Sequence, residues 1–188
     1  MSLRRFLILF REFPIDETSV RAGENAHEVI VACRSINVGL FVSGDLRRDV
    51  EVSIAHGEKE NLRVMTFPGQ KLKRVSPDER SISFFLLKAN KELLNLHLGE
   101  ARRMDNGIEL RRTGLVELLS LWSDSGIFLA QADAAAEQMP VQAPPGLYIY
   151  EVDKAGMLEK LPKHPITILR KPPSPERFIL DINLSSDS

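Results

Sequence analysis

Three short runs of apolar residues constrain the fold of this chain more than any other feature. They lie at residues 6–10, 147–150 and 166–169. The first predicts an amino-terminal strand. The other two are apolar at almost every position, which is typical of strands buried on both faces in a parallel sheet. Because helical patterns separate these strands, the sequence predicts an α/β fold with a largely parallel sheet flanked by helices.

Two longer segments have the three- and four-residue apolar spacing of a helix with one buried face. They run from about residue 25 to 41 and from about residue 76 to 96. In the second, Ser76 is the predicted N-cap, Pro77 takes the first helical position and Glu79 completes a capping box. The remaining predicted elements are strands at residues 50–54, 62–67, 107–112 and 127–130, and helices at residues 115–123 and from Ser174 onward.

Composition indicates one globular domain over residues 1–188 with a sizeable core. No apolar run approaches the roughly 18 residues that a membrane-spanning helix needs, so no membrane partner is predicted. The one cysteine, Cys33, excludes an internal disulfide and fits a reducing cytoplasm. Its apolar helical surroundings predict a buried structural thiol.

Common catalytic signatures are missing from the sequence. There is no glycine-rich dinucleotide loop, no phosphate-binding loop with Gly-Lys-Ser/Thr, and no Gly-x-Ser-x-Gly elbow. Cysteine and histidine do not occur at zinc-binding spacing, so no metal site is predicted. The four histidines are scattered, and each is interpreted as a surface or packing residue.

Arginines carry most of the chemistry that the sequence offers. Basic residues occur in adjacent pairs, and several pairs on one face could hold phosphates, although the pairs by themselves favour solvated loop ends. Arg47 and Arg48 lie between Asp45 and Asp49, which suits one arginine held by a carboxylate and another free for a ligand. Arg80 is predicted at a helix start, where backbone N–H groups also favour phosphate.

Two of these segments resemble one known family. Residues 45–50 read Asp-Leu-Arg-Arg-Asp-Val, and residues 72–80 read Leu-Lys-Arg-Val-Ser-Pro-Asp-Glu-Arg. Both are similar to motifs of the archaeal tRNA pseudouridine-54 N1-methyltransferases, which are SPOUT-class RNA methyltransferases. The similarity continues through the predicted strand at residues 107–112, the helix with Trp122 and the strand at residues 147–150.

The resemblance implies an α/β-knot fold with a carboxy-terminal trefoil knot, S-adenosylmethionine bound in that knot, and a homodimer whose shared cleft admits tRNA. The reaction it implies is methyl transfer to N1 of pseudouridine. The cofactor supplies the reactive carbon, and the protein supplies orientation and electrostatics. The implied site residues are Asp45 and Asp78 for positioning or polarising the base, Arg47, Arg48, Arg74 and Arg80 for RNA, and Tyr150, Asp153, Gly156, Leu169 and Ser174 for the cofactor.

The chain departs from the family in the predicted cofactor loops. The family has Gly-Asp-His-(Ile/Val)-Gly after the strand that ends here at Tyr150, whereas residues 151–156 read Glu-Val-Asp-Lys-Ala-Gly. Glutamate in place of the first glycine loses backbone freedom and close approach. The family's Leu-(Gly/Ser)-Pro loop is replaced after Leu169 by Arg-Lys-Pro-Pro-Ser-Pro. The closing family segment has no clear counterpart, so the cofactor region is predicted to be divergent and shortened.

These departures leave two main hypotheses open. The first is an S-adenosylmethionine-dependent tRNA methyltransferase. The second is a non-catalytic SPOUT-like RNA-binding dimer with a decayed cofactor site, in which Asp153 and Lys154 form an ordinary exposed turn. A globular domain with an unrelated ligand is a third interpretation.

Overall fold

A mixed eight-stranded sheet forms the centre of the computed structural model, which describes residues 2–132, 142–153, 156–158 and 165–187. Helices cover both faces of this sheet. In chain order the elements are β1 (Arg4–Phe10), α1 (Glu17–Ala22), α2 (His27–Leu40), β2 (Phe41–Val42), β3 (Asp45–Leu46), β4 (Val50–Glu58), β5 (Asn61–Pro68), α3 (Glu79–Leu93), β6 (Ala101–Arg103), β7 (Glu109–Thr113), α4 (Leu115–Trp122), a 3-10 turn (Ser123–Ser125), β8 (Ile127–Gln131), β9 (Gly146–Glu151), β10 (Ile166–Arg170) and α5 (Pro175–Asp187).

The strand order of the sheet is β10-β8-β9-β1-β4-β5-β7-β6. The pairings from β10 across to β4 are parallel, and those from β4 across to β6 are antiparallel. The α/β fold with a largely parallel sheet is therefore confirmed. β4 is the strand at which the sheet changes from one type of pairing to the other.

Strand β1 is apolar throughout because both of its faces are covered. Phe6, Ile8 and Phe10 lie in a core with residues of α2, α3 and α5. Leu7 and Leu9 point to the other face and pack in a second cluster with α4. The continuous apolar run at residues 6–10 is thus explained by burial on both sides of the sheet.

The start of α3 differs from the prediction. Its N-cap is Asp78, whose Oδ1 accepts the Ser81 N–H at 2.8 Å, so the assignments of Ser76 as N-cap and of Glu79 to a capping box are wrong. The Asn37 side-chain amide donates to the Pro77 carbonyl at 3.1 Å and holds this segment outside the helix. A carboxylate that stands immediately before the helix caps it better than a more distant hydroxyl.

Short or exposed elements were absent from the sequence-based assignment. Helix α1 has only six residues, and the residues at its start indicate only a turn and a helix cap in the sequence. Asp16 does cap this helix, because its Oδ1 accepts the Ser19 N–H at 2.8 Å. Strand β6 exposes all of its side chains, so it shows no apolar alternation. Helix α5, by contrast, was predicted from Ser174 onward, and it extends to Asp187 with Phe178, Ile179 and Ile182 buried in the core.

Cys33 confirms the prediction of a structural thiol. It is buried in α2, and burial raises its pKa to about 12. Within the described ranges, no helix is long and apolar enough to cross a membrane. The predicted surface connection at residues 133–145 lies mostly outside the described residues.

Candidate functional site

The turn after β9 contains a buried acceptor. Asp153 Oδ2 accepts the Arg11 N–H at 2.8 Å, which fixes the carboxylate against the end of β1. Asp153 Oδ1 is buried and has no hydrogen-bond partner among the described residues. A buried carboxylate oxygen without a donor is costly unless a ligand satisfies it. The position, at the carboxyl end of a parallel strand, is where ligands of α/β sheets bind.

Glu151 uses its side chain and its backbone in separate contacts. Its Oε1 accepts the Met157 N–H at 2.9 Å, so the carboxylate binds the far side of its own turn. Its carbonyl oxygen accepts Lys171 Nζ at 2.6 Å. Gly156, which lies between Glu151 and Met157 in the chain, has φ +64°, a left-handed conformation that glycine adopts without strain. The Glu151 carboxylate therefore stabilises the turn that follows β9.

Lys171 joins the ends of three neighbouring strands. Its N–H donates to the Gln131 carbonyl at 3.2 Å, while its ammonium contacts the Glu151 carbonyl and lies 4.8 Å from the centroid of the Tyr150 ring. The Tyr150 hydroxyl donates to the Pro172 carbonyl at 2.7 Å. Burial, and secondarily the nearby Glu176, raise the pKa of Tyr150 to about 12. The loops after β8, β9 and β10 are thus held together at one edge of the sheet.

An open groove of about 780 Å³ adjoins this edge. It is lined by the loop after β10 and the first turns of α5. Ser174 lies in it, but its Oγ accepts the Arg177 N–H at 3.3 Å and caps α5. Leu169 is buried at 1% exposure behind the groove. Of the predicted cofactor residues, Asp153 is the one with a buried side-chain oxygen that lacks a partner among the described residues.

The arginines that precede β4 are placed differently from the prediction. Arg47 is the arginine held by a carboxylate, but its partner is Asp187 of α5, at 2.7 and 2.6 Å, and not a flanking aspartate. Its Nε is buried without a partner among the described residues, and its side chain is only 16% exposed. Asp49 instead pairs with Arg4 at 2.7 Å. Arg47 is therefore largely committed to the fold.

Arg48 is the more available arginine of the pair. Half of its side chain is exposed, with Nη1 donating to the Gly69 carbonyl at 3.2 Å and Nη2 lying 3.4 Å from Asp45. Asp45 also accepts the Leu46 N–H at 2.7 Å, and this hydrogen bond lowers the pKa of the Asp45 carboxyl. Gly69 lies so close to the Arg47 carbonyl that a Cβ there would overlap it. Glycine at this position lets the loop after β5 approach the arginine segment.

Asp78 and Arg80 lie together at the start of α3. Both line a pocket of about 500 Å³ that also involves α1. The Asp78 carboxylate already accepts a backbone N–H as the helix cap, whereas Arg80 is exposed. Arg74 lines a different groove, of about 540 Å³, and has φ +62°, which is unusual for a residue other than glycine.

The arginine segment and the predicted cofactor loops lie at opposite edges of the sheet. Arg4 at the start of β1 is in register with Val50 and Gly146, whereas Leu9 near its end is in register with Glu151. A seven-residue strand spans on the order of 20 Å. Within one chain, Asp45, Arg47 and Arg48 therefore do not meet Asp153.

No three His, Cys, Asp or Glu side chains of the described segments are grouped so that they could hold a metal ion. The residues present do fit a small polar cofactor, because the unsatisfied Asp153 oxygen can accept a hydrogen bond from a ribose hydroxyl or an ammonium group.

Comparison with known proteins places the chain in a family. The sequence profile of the family described as "Putative SAM-dependent RNA methyltransferase" matches residues 4–170. The chain is 39% identical over 94 residues to a tRNA (pseudouridine(54)-N(1))-methyltransferase of Methanocorpusculum labreanum, covering 47% of each protein. It is 30% identical over 129 residues to the protein of that name from Natronomonas pharaonis, covering 66% of this chain and 62% of the relative.

A third relative of the same name, from Methanocaldococcus jannaschii, is 38% identical over 93 residues, which cover 46% of this chain and 44% of the relative. The matched segment thus spans about half the length of the curated relatives. The family profile covers far more of the chain and includes the turn with Asp153 and the loops on both sides of it. On that match, the chain belongs to the SAM-dependent RNA methyltransferase family, whose fold is of the SPOUT class.

Proposed function

We propose that this protein is an S-adenosylmethionine-dependent tRNA methyltransferase that methylates N1 of pseudouridine. Family membership over residues 4–170 supports this proposal. The structural observation that carries it is the buried Oδ1 of Asp153 at the carboxyl ends of the parallel strands, which finds no hydrogen-bond donor in the part of the chain that the structure describes. We expect the protein to act in the cytoplasm, where its tRNA substrate occurs.

The cofactor would supply an electrophilic methyl group on its sulfonium. Asp153 would accept a hydrogen bond from it, the turn at Gly156 would let the backbone approach, and Tyr150, Leu169 and Ser174 would shape the surrounding wall. N1 of pseudouridine carries a proton that must leave as the N–C bond forms. The Asp45 or Asp78 carboxylate could polarise this N–H while its proton passes to solvent, and the Leu46 N–H hydrogen bond, which lowers the pKa of Asp45, favours the carboxylate form that this step needs.

Two copies of the chain would complete one site. The arginine segment and the Asp153 turn are on the order of 20 Å apart along β1, so one chain does not bring them together. A homodimer that places Arg48 of one copy beside Asp153 of the other would do so. A trefoil knot around the loops after β9 and β10 is the arrangement that the family fold implies.

The decisive experiment is methyl transfer to matched tRNA transcripts with uridine or pseudouridine at position 54. N1 of uridine bears the glycosidic bond, so only the pseudouridine transcript offers an N1–H nucleophile. We expect label from radioactive S-adenosylmethionine in the pseudouridine transcript alone. Asp153→Asn should abolish cofactor binding, measured by isothermal titration calorimetry, whereas Asp124→Asn, at an exposed position, should not. Equal labelling of both transcripts would contradict the assigned atom.

Complementation tests the shared site. Arg48→Ala and Asp153→Asn proteins should each be inactive alone, and mixed heterodimers should regain part of the activity because one composite site is intact. A monomer by light scattering, or a mixture without activity, would exclude the two-chain arrangement.

One observation favours a second function, a non-catalytic RNA-binding dimer. The Lys171 ammonium lies in the predicted cofactor region, against Tyr150 and the Glu151 carbonyl, where it opposes a positively charged sulfonium. Calorimetry separates the two functions. Heat from one S-adenosylmethionine per chain supports the enzyme, and silence at millimolar concentration with intact tRNA binding supports the RNA-binding dimer.

A further inference from the structure

Phe84 is an exposed aromatic side chain on the outer face of α3. The buried residues of this helix face the sheet, whereas Phe84 is 47% exposed. Phe85 contacts it edge-on, with ring centroids 5.3 Å apart, and Lys88 Nζ lies 5.5 Å from its centroid. The Phe84 ring therefore packs against Phe85 and lies beside the ammonium group of Lys88.

Two grooves meet at Phe84, and cationic side chains outnumber the acidic ones, Glu92, Asp105 and Asp78, in their linings. The groove of about 540 Å³ is lined on its other sides by cationic side chains of the loop before α3, of α3 itself and of β6. The pocket of about 500 Å³ contains Arg21 and Arg80. Phe84 lines both, so the two grooves adjoin its side chain, and we call them together the Phe84 groove. The cationic residues along it are Arg21, Arg74, Arg80, Lys88, Arg102 and Arg103.

The arginines of β6 are only loosely engaged. Arg102 Nη1 lies 4.0 Å from Glu92, and Arg103 Nη2 lies 3.1 Å from Glu109. The two arginine side chains are 49% and 58% exposed. Exposed ion pairs of this kind are weak, so a phosphate can compete for these guanidinium groups.

Asn106 supplies an independent indication of a ligand. It lines the Phe84 groove although it is only 5% exposed. Its Oδ1 accepts the Ile108 N–H at 3.3 Å, while its Nδ2 is buried and unpaired among the described residues. Its carbonyl accepts the Lys73 N–H at 2.9 Å, which fixes it beside Arg74. A free amide donor among cations suits a phosphate oxygen or a base carbonyl.

We infer that the Phe84 groove binds a single-stranded segment of RNA, with an unpaired base stacked on Phe84 and a flanking phosphate on Arg102, whose register partner Leu110 belongs to the same sheet face as α3. This inference rests on the proposed function in so far as RNA is the substrate. Stacking on an exposed ring needs a base that is free of its helix, so single strands and loops are favoured over duplex.

The test is fluorescence anisotropy with a labelled oligouridine and with a labelled RNA duplex of equal length. Phe84→Ala should weaken oligouridine binding on the order of tenfold, since one stacked base is lost. Phe84→Trp should retain the binding. Leu98→Ala removes another exposed apolar side chain, which is 60% exposed, and should leave the affinity unchanged.

The basic residues are tested by salt dependence. The Arg102→Ala variant should reduce the slope of log K against log salt concentration by about 0.7, since each phosphate contact on a single strand contributes about that much. Arg34→Ala, whose side chain is 63% exposed on α2, is the matched control. Wild-type affinity and slope in the groove variants, or tighter binding of duplex, would overturn the inference.

Methyl transfer separates this inference from the proposed function. If the enzyme is active, Phe84→Ala should raise KM for tRNA while kcat at saturating tRNA stays unchanged. If wild-type protein transfers no methyl group, weaker oligouridine binding by Phe84→Ala still supports the groove. An unchanged KM together with unchanged oligouridine binding overturns the groove alone and leaves the methyltransferase intact.

Discussion

Asp187, in the last turn of α5, accepts both terminal amino groups of Arg47, which lies 140 residues earlier in the chain. The distances of 2.7 and 2.6 Å make this a paired, charge-assisted contact. It fastens the carboxy-terminal helix to the segment before β4. Arg47 was predicted as an RNA ligand, and in the structure its guanidinium is largely used by this contact.

Asp187→Asn should therefore destabilise the protein by about 0.5–1 kcal/mol, in the upper range of exposed pairs because Arg47 is mostly buried. The hydrogen bond to Arg47 lowers the pKa of Asp187. Its stabilising contribution is then fully present above the unfolded pKa of about 3.9 and is lost as pH falls through the lower folded value. The difference between the two proteins in urea unfolding should be largest at pH 7 and should narrow progressively as pH falls below about 3.9. A difference that persists in acid would contradict this assignment.

His56 should remain neutral at pH values at which an exposed histidine already binds a proton. Its Nε2 lies 2.9 Å from Asn90 Oδ1, and its ring stacks on Phe13 with centroids 5.4 Å apart. Burial, assisted by Arg63, lowers its pKa. Its ring resonances in nuclear magnetic resonance spectra should titrate at lower pH in the folded protein than in the urea-unfolded protein, where the pKa is about 6.5.

The same shift has a consequence for stability. Because the folded pKa of His56 lies below the unfolded value of about 6.5, the unfolded chain binds the proton more readily. The contribution of His56 to stability is therefore full above about pH 6.5 and declines as pH falls below it. A His56 resonance that titrates above pH 6.5 would show that the ring is not enclosed.

The two tyrosines should resist ionisation in the folded protein. Burial raises the pKa of Tyr148 and brings that of Tyr150 to about 12. Ultraviolet absorbance should show no tyrosinate in native protein at about pH 10.5, whereas urea-unfolded protein should ionise with a pKa of about 10. Appearance of tyrosinate in native protein at that pH would mean that the loop holding the Tyr150 hydroxyl opens readily.

Lys171→Met should shift cofactor preference toward the charged form. The ammonium contacts the Glu151 carbonyl at 2.6 Å, beside the proposed cofactor turn. It penalises the sulfonium of S-adenosylmethionine relative to its neutral demethylated product. A unit charge about 10 Å away contributes on the order of 0.5–1.5 kcal/mol for effective dielectric constants between water and a protein surface.

The ratio of the two affinities, measured by calorimetry, should therefore rise two- to tenfold in the Lys171→Met variant. Both ligands experience any loosening of the loops, so the ratio isolates the effect of charge. Lys91→Met, remote on α3, is the matched control. An unchanged ratio would place the cofactor away from Lys171.

Much of the fold could be predicted because local pattern and tertiary structure agree. The runs at residues 6–10 and 147–150 are apolar because β1 and β9 are covered on both faces. The predicted partner strands at residues 50–54 and 62–67 pair as β4 and β5. Helix α3 ends near the predicted position, and the difference lies at its start, where the N-cap is Asp78 and not Ser76.

The site was harder to predict because its chemistry depends on long-range pairing. Nothing near Arg47 indicates that Asp187 will hold it, and flanking aspartates suggest otherwise. Arg48 and Asp153 are both plausible site residues in sequence, yet β1 separates them by its whole length. The sequence does mark Phe84 as unusual, because this aromatic residue lies outside the buried apolar face of α3. It indicates a binding surface only once the structure places β6 nearby.

The outermost strand, β6, has its free backbone edge flanked by two guanidinium groups. Unpaired strand edges recruit other strands, and closely spaced like charges oppose such stacking of copies. The charges of Arg102 and Arg103 would therefore oppose edge-to-edge pairing of β6 with another strand whenever no RNA is bound. A variant with alanine at both positions is expected to form fibrils through the edge of β6 more readily than the wild-type protein. Sedimentation of this variant without RNA would measure that tendency.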